Sequence, residues 1–327
     1  MQRRALLAAA GLLPSLAQTQ TQAQAQAGEW PNRPVRIVVP FPPGGPNDII
    51  ARLYAQALTP ILSQQVVVEN RAGGSGVVGT DSALKSAPDG YTVAICDGGS
   101  LVIVPHTQST MPYKVPEEVG LVTVVAKVPE ALVAHPSLRV KTLPELLELA
   151  KRQPGKLNIG TAGAAGISHL AAVLFKALTG AEVEVVPYRG AAPAITDLVA
   201  GQVQLLFADL PPLLPHLQAK AIVPLALAAR ERSPSLPDLA TTGEYGYPKL
   251  LAENWYCMVA PPALPAAILE KLSAAMRRAS ENAQLREALA VQGAEAVWTS
   301  RQQFAAQVQE ESIVWRDIAK AAGVRAD

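Results

Sequence analysis

The chain has 327 residues, which is long enough for two α/β domains with a large core. Its formal net charge is +1 with no basic or acidic block, which argues against nucleic acid or an anionic membrane surface as the main partner. Aromatic residues make up only 5%, and the abundance of alanine, leucine and valine suits parallel strands covered by alanine-rich helices.

The N-terminal segment has the pattern of an export signal. Arg3 and Arg4 form a positive region, residues 5–17 a short apolar region, and small residues at 23–27 a cleavage site. The apolar region is too short to span a membrane. We therefore expect residues 1–27 to be a signal peptide and the mature protein to be periplasmic. Ordinary secretion is favoured, and the paired arginines leave a twin-arginine route open.

The first candidate binding loop lies between a strand and a helix. The apolar run at 35–39 predicts a buried strand, and apolar residues at helical spacing from Ile49 to Leu58 predict a helix. The turn between them contains Gly44 and Gly45. Such a turn offers free N–H groups and the positive end of a helix dipole to an anion. It lacks the spacing of a nucleotide-binding motif, and a plain connecting turn is the alternative.

Two further glycine-rich turns follow in the same half. Segments 65–69 and 91–96 predict strands, with glycine-rich turns at 70–76 and 97–100. Three such units indicate a parallel sheet with helices on its faces. Binding sites in these sheets lie at the carboxyl ends of the strands, and all three turns lie there.

The two cysteines, Cys96 and Cys257, lie in apolar runs typical of strands. Two cysteines do not build a disulfide scaffold, nor a metal site without nearby histidines. We expect two free buried thiols, with a single bridge as the alternative in an exported protein. Neither a metal nor a cofactor is expected.

The second half repeats the pattern of the first. A strand at 157–159, a glycine/alanine turn at 160–166 and a helix that Ser168 can cap form another unit. Two similar halves joined by two crossings predict an α/β fold of two hinged domains with a ligand cleft between them. Further strands are expected at 121–127, 131–135, 182–187, 203–208, 222–228 and 255–260, and helices at 140–153, 191–200, 266–280, 283–292 and 301–322.

The crossings set the expected domain boundaries. Residues 28–126 form the first part of domain 1, residues 127–253 form domain 2, and residues 254–327 return to domain 1. The C-terminal helices have no sheet of their own, so we expect them to pack on the first domain.

Several runs match one protein family in order and spacing, and they cover the chain from about residue 30 to its end. They are 33–41, Gly44-Gly45 with Asp48, 70–76, 88–92, 168–171, 186–190, Asp197-Leu198 with Gly201, and Trp255 with Pro261-Pro262. With these runs the chain resembles the periplasmic solute-binding receptors of the tripartite tricarboxylate transporter family, also called Bug or TctC-like proteins.

The resemblance implies a periplasmic-binding-protein (Venus flytrap) fold. It also implies that main-chain groups of two loops, here 41–45 and 161–166, hold a small organic carboxylate that the receptor delivers to inner-membrane transporter subunits. Family ligands are dicarboxylates, tricarboxylates, acidic amino acids and nicotinate-like aromatic acids. The chain departs from the family at Pro42-Pro43 and at 164–166, where a hydroxyl is missing, and these departures bear on the ligand's identity.

The candidate ligand-binding residues share a place in the loops at the predicted cleft. Asp97 and Asp209 follow strands. They would bind an amine or a hydroxyl group of the ligand, or else cap the next helix. Asp48 is favoured as a cap, because an anionic ligand would be repelled by it. The full set is Phe41, Pro43, Gly44, Gly45, Asp48, Asp97, Thr161, Gly163, Ala165, Gly166, Ser168, Tyr188, Arg189 and Asp209.

Three of these residues carry specific expectations. Arg189 would clamp a second carboxylate, or instead form a structural ion pair or lie in solvent. Tyr188 is expected to pack at the cleft edge, where it can offer its hydroxyl. A side chain at Gly45 would fill the space that the ligand needs and conflict with the local backbone angles.

No enzymatic constellation is visible in the sequence. A Gly-x-Ser-x-Gly elbow, paired carboxylates, HExxH and CxxC are absent. We therefore expect reversible binding without turnover, by a monomer that does not bind nucleic acid. Ligand sensing for a membrane kinase is the alternative, and a periplasmic hydrolase is a less favoured one.

Overall fold

The computed structural model describes residues 30–323. The signal peptide expected at 1–27 lies outside the described residues, so it stays a prediction. Within the described part, no helix is both long enough and apolar enough to cross a membrane.

The first lobe alternates strands and helices: β1 (Val35–Val39), α1 (Pro46–Leu62), β2 (Val66–Asn70), α2 (Val77–Leu84), β3 (Thr92–Asp97), α3 (Gly99–Val102) and α4 (Val104–Thr107). β1 lies between β2 and β3 and is parallel to both. Ile37 and Val39 of β1 are fully buried, as in a central strand with both faces covered. Each turn after these strands therefore opens at the same edge of the sheet.

One long strand carries the chain into the second lobe. β4 (Gly120–Ala134) has 15 residues, so the expectation of two separate strands is wrong. Up to Pro129 it pairs with the returning strand Glu253–Ala260, and from Glu130 onward it pairs with strands of the second lobe. Proline cannot donate to a ladder and therefore looks like a break in the sequence. Here it stands where the strand changes partners, and the boundary expected at 126–127 stays a prediction.

The second lobe consists of α5 (Leu143–Arg152), β5 (Leu157–Thr161), α6 (Ile167–Thr179), β6 (Val183–Pro187), α7 (Ala191–Val199), β7 (Leu205–Asp209), α8 (Leu210–Gln218) and β8 (Val223–Leu227). β5 is parallel to β6 and β7, whereas β7 and β8 are antiparallel to β4. The loops after β5, β6 and β7 again lie at the carboxyl ends of parallel strands.

The C-terminal part consists of β9 (Glu253–Ala260), α9 (Ala266–Ser280), α10 (Ala283–Val291), β10 (Glu295–Ala296) and α11 (Arg301–Ala322). β9 lies between β3 and β4 in the sheet. Trp255 packs edge-to-face on Phe304 with ring centroids 5.7 Å apart, and its Nε1 donates a 2.7 Å hydrogen bond to Glu311. These contacts fix α11 against the first lobe beside the crossing strands.

The cysteines are register partners on β3 and β9. Cys96 and Cys257 are fully buried, and their sulfur atoms lie 3.5 Å apart. A disulfide bond would require about 2 Å. Both are free thiols, which agrees with the expectation from the sequence.

Candidate functional site

A small cavity lies between the lobes. The cavity has a volume of about 20 Å³, which is enough for about one water molecule. An organic acid needs more room, so the lobes must separate before one can enter. The cavity is lined by Phe41, Pro42, Gly45, Pro46, Asn47, Asp97, Glu130, Ala162, Gly166, Ile167, Ser168, Ala191, Asp209 and Asn254.

Glycines allow the two lobes to approach closely around the cavity. A Cβ atom on Gly190 would lie 3.0 Å from Cδ of Pro42 in the other lobe. A Cβ atom on Gly99 would lie 3.6 Å from the Cα atom of Gly166, again across the cleft. The conformation is therefore a closed one.

Helix starts form one wall of the cavity. α1, α6 and α7 begin directly after Gly45, Gly166 and Gly190, which provide no side-chain caps. First-turn N–H groups have no partner within their own helix, and the positive end of the helix dipole lies there too. We call this surface the donor wall, and its residues are Gly45, Pro46, Asn47, Gly166, Ile167, Ser168 and Ala191.

Asp48 braces the first loop. Its Oδ2 accepts 3.0 Å hydrogen bonds from the Gly44 N–H and from Arg52 Nε, and its Oδ1 accepts one of 3.0 Å from Asn70. Asn70 also donates to the carbonyl of Phe41 at 3.1 Å. Burial alone would raise the pKa of Asp48, but these hydrogen bonds outweigh it and hold the pKa below its ordinary value. Asp48 therefore shapes the loop, and it uses the N–H of Gly44 to do so.

The two glycines of this loop have different roles. Gly44 has a φ of +80°, in the left-handed region that favours glycine. Gly45 has φ −80° and ψ 171°, which any residue adopts, so the expected conflict of a Gly45 side chain with the backbone angles is wrong. Gly45 does line the cavity, and a Cβ atom there would meet only the carbonyl oxygen of Pro42, at 3.6 Å. A larger side chain at Gly45 would therefore fill ligand space without straining the chain.

The second loop is held by its own hydroxyl groups. Ser168 Oγ accepts a 2.8 Å hydrogen bond from the Ala162 N–H, and Thr161 Oγ1 donates one of 3.0 Å to the carbonyl of Gly163. Thr161 Oγ1 also lies 3.4 Å from Nδ1 of His169, whose pKa is lowered by burial. These side chains set the shape of the loop that precedes α6.

Acidic and amide side chains form another wall of the cavity. Asp97 ends β3, Glu130 lies in β4, Asp209 ends β7 and Asn254 lies in β9. We call these four residues the acidic wall. Glu130 and Asp209 are register partners on antiparallel strands, so their side chains are direct neighbours on one face of the sheet. Glu130 is 1% exposed and Asp209 is 5% exposed.

Asp209 is held through one of its two oxygens. The Tyr256 hydroxyl donates to Oδ2 at 2.6 Å, and Nδ2 of Asn254 donates to the same atom at 3.2 Å. Within residues 30–323, neither Oδ1 of Asp209 nor Oε2 of Glu130 has a hydrogen-bond partner, although both are buried. Buried polar atoms are rarely left in this state. Both residues line the cavity, and each has one carboxyl oxygen without a donor among the described residues.

Burial and repulsion perturb these carboxyl groups. Burial raises the pKa of Asp209 to about 7, despite the hydrogen bonds from Tyr256 and Asn254. Burial, and then the charges of Asp209 and Asp97, raise the pKa of Glu130 well above its ordinary value. Neighbouring carboxyl groups resist ionising together. The pKa values of both carboxyl groups therefore lie above their ordinary range.

The cavity includes part of the predicted site. Arg189 is exposed, and the Tyr188 hydroxyl donates to Asp197 Oδ2 at 2.8 Å. The predicted residues that line the cavity are Phe41, Gly45, Asp97, Gly166, Ser168 and Asp209. Those that lie outside its lining are Pro43, Gly44, Asp48, Thr161, Gly163, Ala165, Tyr188 and Arg189.

Asn47, Glu130 and Asn254 also line the cavity, and local sequence patterns did not predict them. Asn47 is 2% exposed, and its Nδ2 has no hydrogen-bond partner in the described part of the chain. Its position two residues after Gly45 was the available signal. Glu130 and Asn254 are polar residues inside apolar runs, where full burial of a charged group is unusual. The expected absence of paired carboxylates is wrong, because strand register brings Glu130 beside Asp209.

Metal binding receives no support from this cluster. Among residues 30–323, no group of three or more His, Cys, Asp or Glu side chains could hold a metal ion.

Comparison with known proteins identifies relatives along nearly the whole chain. The family model described as tripartite tricarboxylate transporter family receptor matches residues 50–324. BugT of Bordetella pertussis is 34% identical over 321 residues, which cover 98% of each chain.

Solved structures share the architecture. A protein of R. palustris solved with adipate has a TM-score of 0.88 and 34% identity, covering 90% of this chain and 99% of that chain. The periplasmic binding protein BugD has a TM-score of 0.86 and 30% identity, with coverage of 90% and 99%. The two-lobed α/β fold expected from the sequence is thereby confirmed.

Proposed function

The chain belongs to the tripartite tricarboxylate transporter receptors, the periplasmic solute-binding proteins of the Bug and TctC type, and on this basis we propose that its cavity captures a small carboxylate through main-chain N–H groups. The observation that carries the proposal is the donor wall, where three helices of the described part begin without side-chain caps. No lysine or arginine is among the residues that line the cavity.

The energetics of such a site rest on fixed dipoles. Each hydrogen bond to a charged group contributes roughly 1.5–3 kcal/mol, and a helix start adds a favourable field for the anion. Nδ2 of Asn47, a buried donor at the start of α1, adds a side-chain hydrogen bond to the same carboxylate. The carboxylate is thus held without a basic partner.

Both lobes contribute to this anchor. α1 belongs to the first lobe, and α6 and α7 belong to the second. A carboxylate that bonds to helix starts of both lobes therefore favours closure of the lobes around the ligand over an open arrangement. The receptor then delivers the acid to inner-membrane transporter subunits. Loss of uptake of the bound acid in cells that lack this protein is the corresponding cellular test.

The proposal includes binding without turnover. A serine nucleophile needs an adjacent general base. Ser168 Oγ instead accepts a hydrogen bond from the Ala162 N–H. Prolonged incubation of the protein with a bound acid should therefore return the acid unchanged, and recovery of a converted product would contradict this part of the proposal.

A thermal-shift screen tests the ligand class. Mature protein is heated with a panel of mono-, di-, hydroxy- and amino-carboxylic acids, and with the matching amides and a set of sugars as controls. A binding acid at about 100 times its dissociation constant should add roughly 2.7 kcal/mol of stability. Response to sugars or amides, with no response to any acid, would overturn the proposed class.

A further inference from the structure

The acidic wall contains two buried oxygens that no described residue satisfies. Oε2 of Glu130 and Oδ1 of Asp209 accept no hydrogen bond from any donor group within residues 30–323. Both residues line the cavity. Buried carboxyl oxygens without a donor are costly, so this pair is stabilised either by a shared proton or by a donor group of a bound ligand. The carboxyl group of Glu130, 1% exposed and in the cavity lining, has no hydrogen-bond donor among the described residues.

The surroundings of Asp209 fix its orientation. Tyr256 and Asn254 both donate to Oδ2, and Nδ2 of Asn254 also donates to the Tyr256 hydroxyl at 3.1 Å. This network holds the carboxyl group in one rotamer and leaves Oδ1 free. A preorganised acceptor of this kind is typical of a recognition group, because no binding energy is lost in ordering it.

The two walls have opposite electrostatic character within one small cavity. The donor wall favours a negative group, whereas Glu130, Asp209 and Asp97 disfavour one. A dicarboxylate held at the donor wall would bring its second charge toward the acidic wall, and Arg189 is not among the lining residues. A ligand with a carboxylate at one end and a positive hydrogen-bond donor at the other matches both walls.

On these grounds we infer that Glu130 and Asp209 bind the ammonium group of an amino acid whose single carboxylate lies on the donor wall, and that they select against dicarboxylates. This inference rests on the proposed function, since it needs the carboxylate at the donor wall. An ammonium group supplies up to three N–H donors, enough for Oε2 and Oδ1 together. Its positive charge also offsets the repulsion between the two carboxyl groups, and Asp97 and Tyr256 are the titratable groups facing the pair.

Two matched ligand series test the inference by calorimetry. In the first, alanine, lactate, isobutyrate and methylmalonate differ only in the group at carbon 2. In the second, 4-aminobutyrate, 4-hydroxybutyrate, pentanoate and glutarate differ only at the far end of the same chain. In at least one series, we expect the amine to bind at least tenfold more tightly than the diacid and the methyl analogue.

The Glu130→Gln and Asp209→Asn variants identify the residues responsible. Each removes a charge while keeping the size of the side chain, and each should reduce the preference for the amine over the diacid at least tenfold. Glu184→Gln, at an exposed position of β6, is the matched control and should leave the preference unchanged. Circular dichroism shows whether each variant is folded. If a variant is not folded, the preference of the wild-type protein between amine and diacid decides the ligand class.

The possible outcomes separate the two proposals. Preference for the diacid or the hydroxy acid in both series overturns the amine inference and leaves carboxylate capture intact. An amine preference that survives both variants overturns the role of Glu130 and Asp209. Failure of every carboxylate in the wider thermal-shift screen overturns the proposed function, and the inference with it.

Discussion

The donor wall and the acidic wall are built from different kinds of chain. The donor wall consists of helix starts after glycines, so its chemistry comes from the main chain and is largely independent of side-chain identity. The acidic wall consists of side chains on β3, β4, β7 and β9, so its chemistry depends on side-chain identity and changes with single substitutions. The difference indicates that the donor wall sets the general ligand class and the acidic wall sets which member of that class is bound.

Blocking the donor wall should produce the largest effect. Gly45→Val places two methyl groups in the cavity at a position whose backbone angles accept valine. We expect carboxylate affinity to fall at least 100-fold by calorimetry, with the unfolding midpoint little changed. Gly243→Val is the matched control, because a Cβ atom there also meets its nearest neighbour at 3.6 Å. Equal affinities for the Gly45 variant and wild type would show that the ligand lies elsewhere.

Neutralising the acidic wall should stabilise the ligand-free protein in a pH-dependent way. Burial raises the pKa of Asp209 to about 7, above the value of about 3.9 in an unfolded chain. Between these two values the native state binds a proton that the unfolded state has released. The wild-type protein therefore loses stability as pH rises from about 4 to 7. The Asp209→Asn variant should not lose stability over this pH range, and its amide oxygen can still accept the hydrogen bond from Tyr256.

Urea unfolding at two pH values measures this effect. Asp209→Asn should exceed wild type by about 1–3 kcal/mol at pH 8, and the advantage should disappear toward pH 4. A variant that is less stable than wild type at pH 8 would mean that the carboxylate is ionised and favourably paired in the native state.

Substituting Asp48, whose hydrogen bonds shape the loop before α1, should have a smaller effect on binding than on stability. Asp48→Asn weakens hydrogen bonds from Gly44, Arg52 and Asn70, so we expect a loss of about 1–3 kcal/mol and only a few-fold loss of affinity. The pKa of Asp48 is held below its unfolded value, so its contribution is present above about pH 4 and is lost as pH falls further. A stability difference that persists unchanged at pH 2 would contradict this role.

Arg189→Ala, which alters neither wall, should have the smallest effect. The side chain is exposed and does not line the cavity. We expect less than a threefold change in affinity for a monocarboxylate or a dicarboxylate, measured by calorimetry. A loss of tenfold or more for both ligands would place a basic side chain at the anchor and remove the distinction between the walls.

The turns of the donor wall and the strand ends Asp97 and Asp209 of the acidic wall were predictable from the sequence, whereas Glu130 and Asn254 were not. Glycines between an apolar run and a helical pattern mark a strand-to-helix turn, so Gly45 and Gly166 could be assigned by local rules. Glu130 and Asp209 are adjacent only because β4 continues past Pro129 and pairs with β7 in one register. The pairing of strands that are distant in the chain depends on tertiary contacts, which local patterns do not encode.

The conformation of the loops was also only partly predictable from local sequence rules. Local rules identified the glycine pair but not that Gly44, rather than Gly45, has the left-handed backbone. They placed Arg189 in a cleft-facing turn, yet its side chain is exposed, because the direction of a loop side chain depends on neighbouring elements. Asp48 was assigned a capping role, and it does accept hydrogen bonds within the loop.

A crystal structure of the mature protein with a bound carboxylic acid from the thermal-shift screen tests the central claim most directly. The account predicts carboxylate oxygens about 2.7–3.2 Å from main-chain nitrogen atoms in the first turns of α1 and α6, with Asn47 Nδ2 as a further donor. A carboxylate bound instead to Arg189 or to another basic side chain, away from these helix starts, would contradict it.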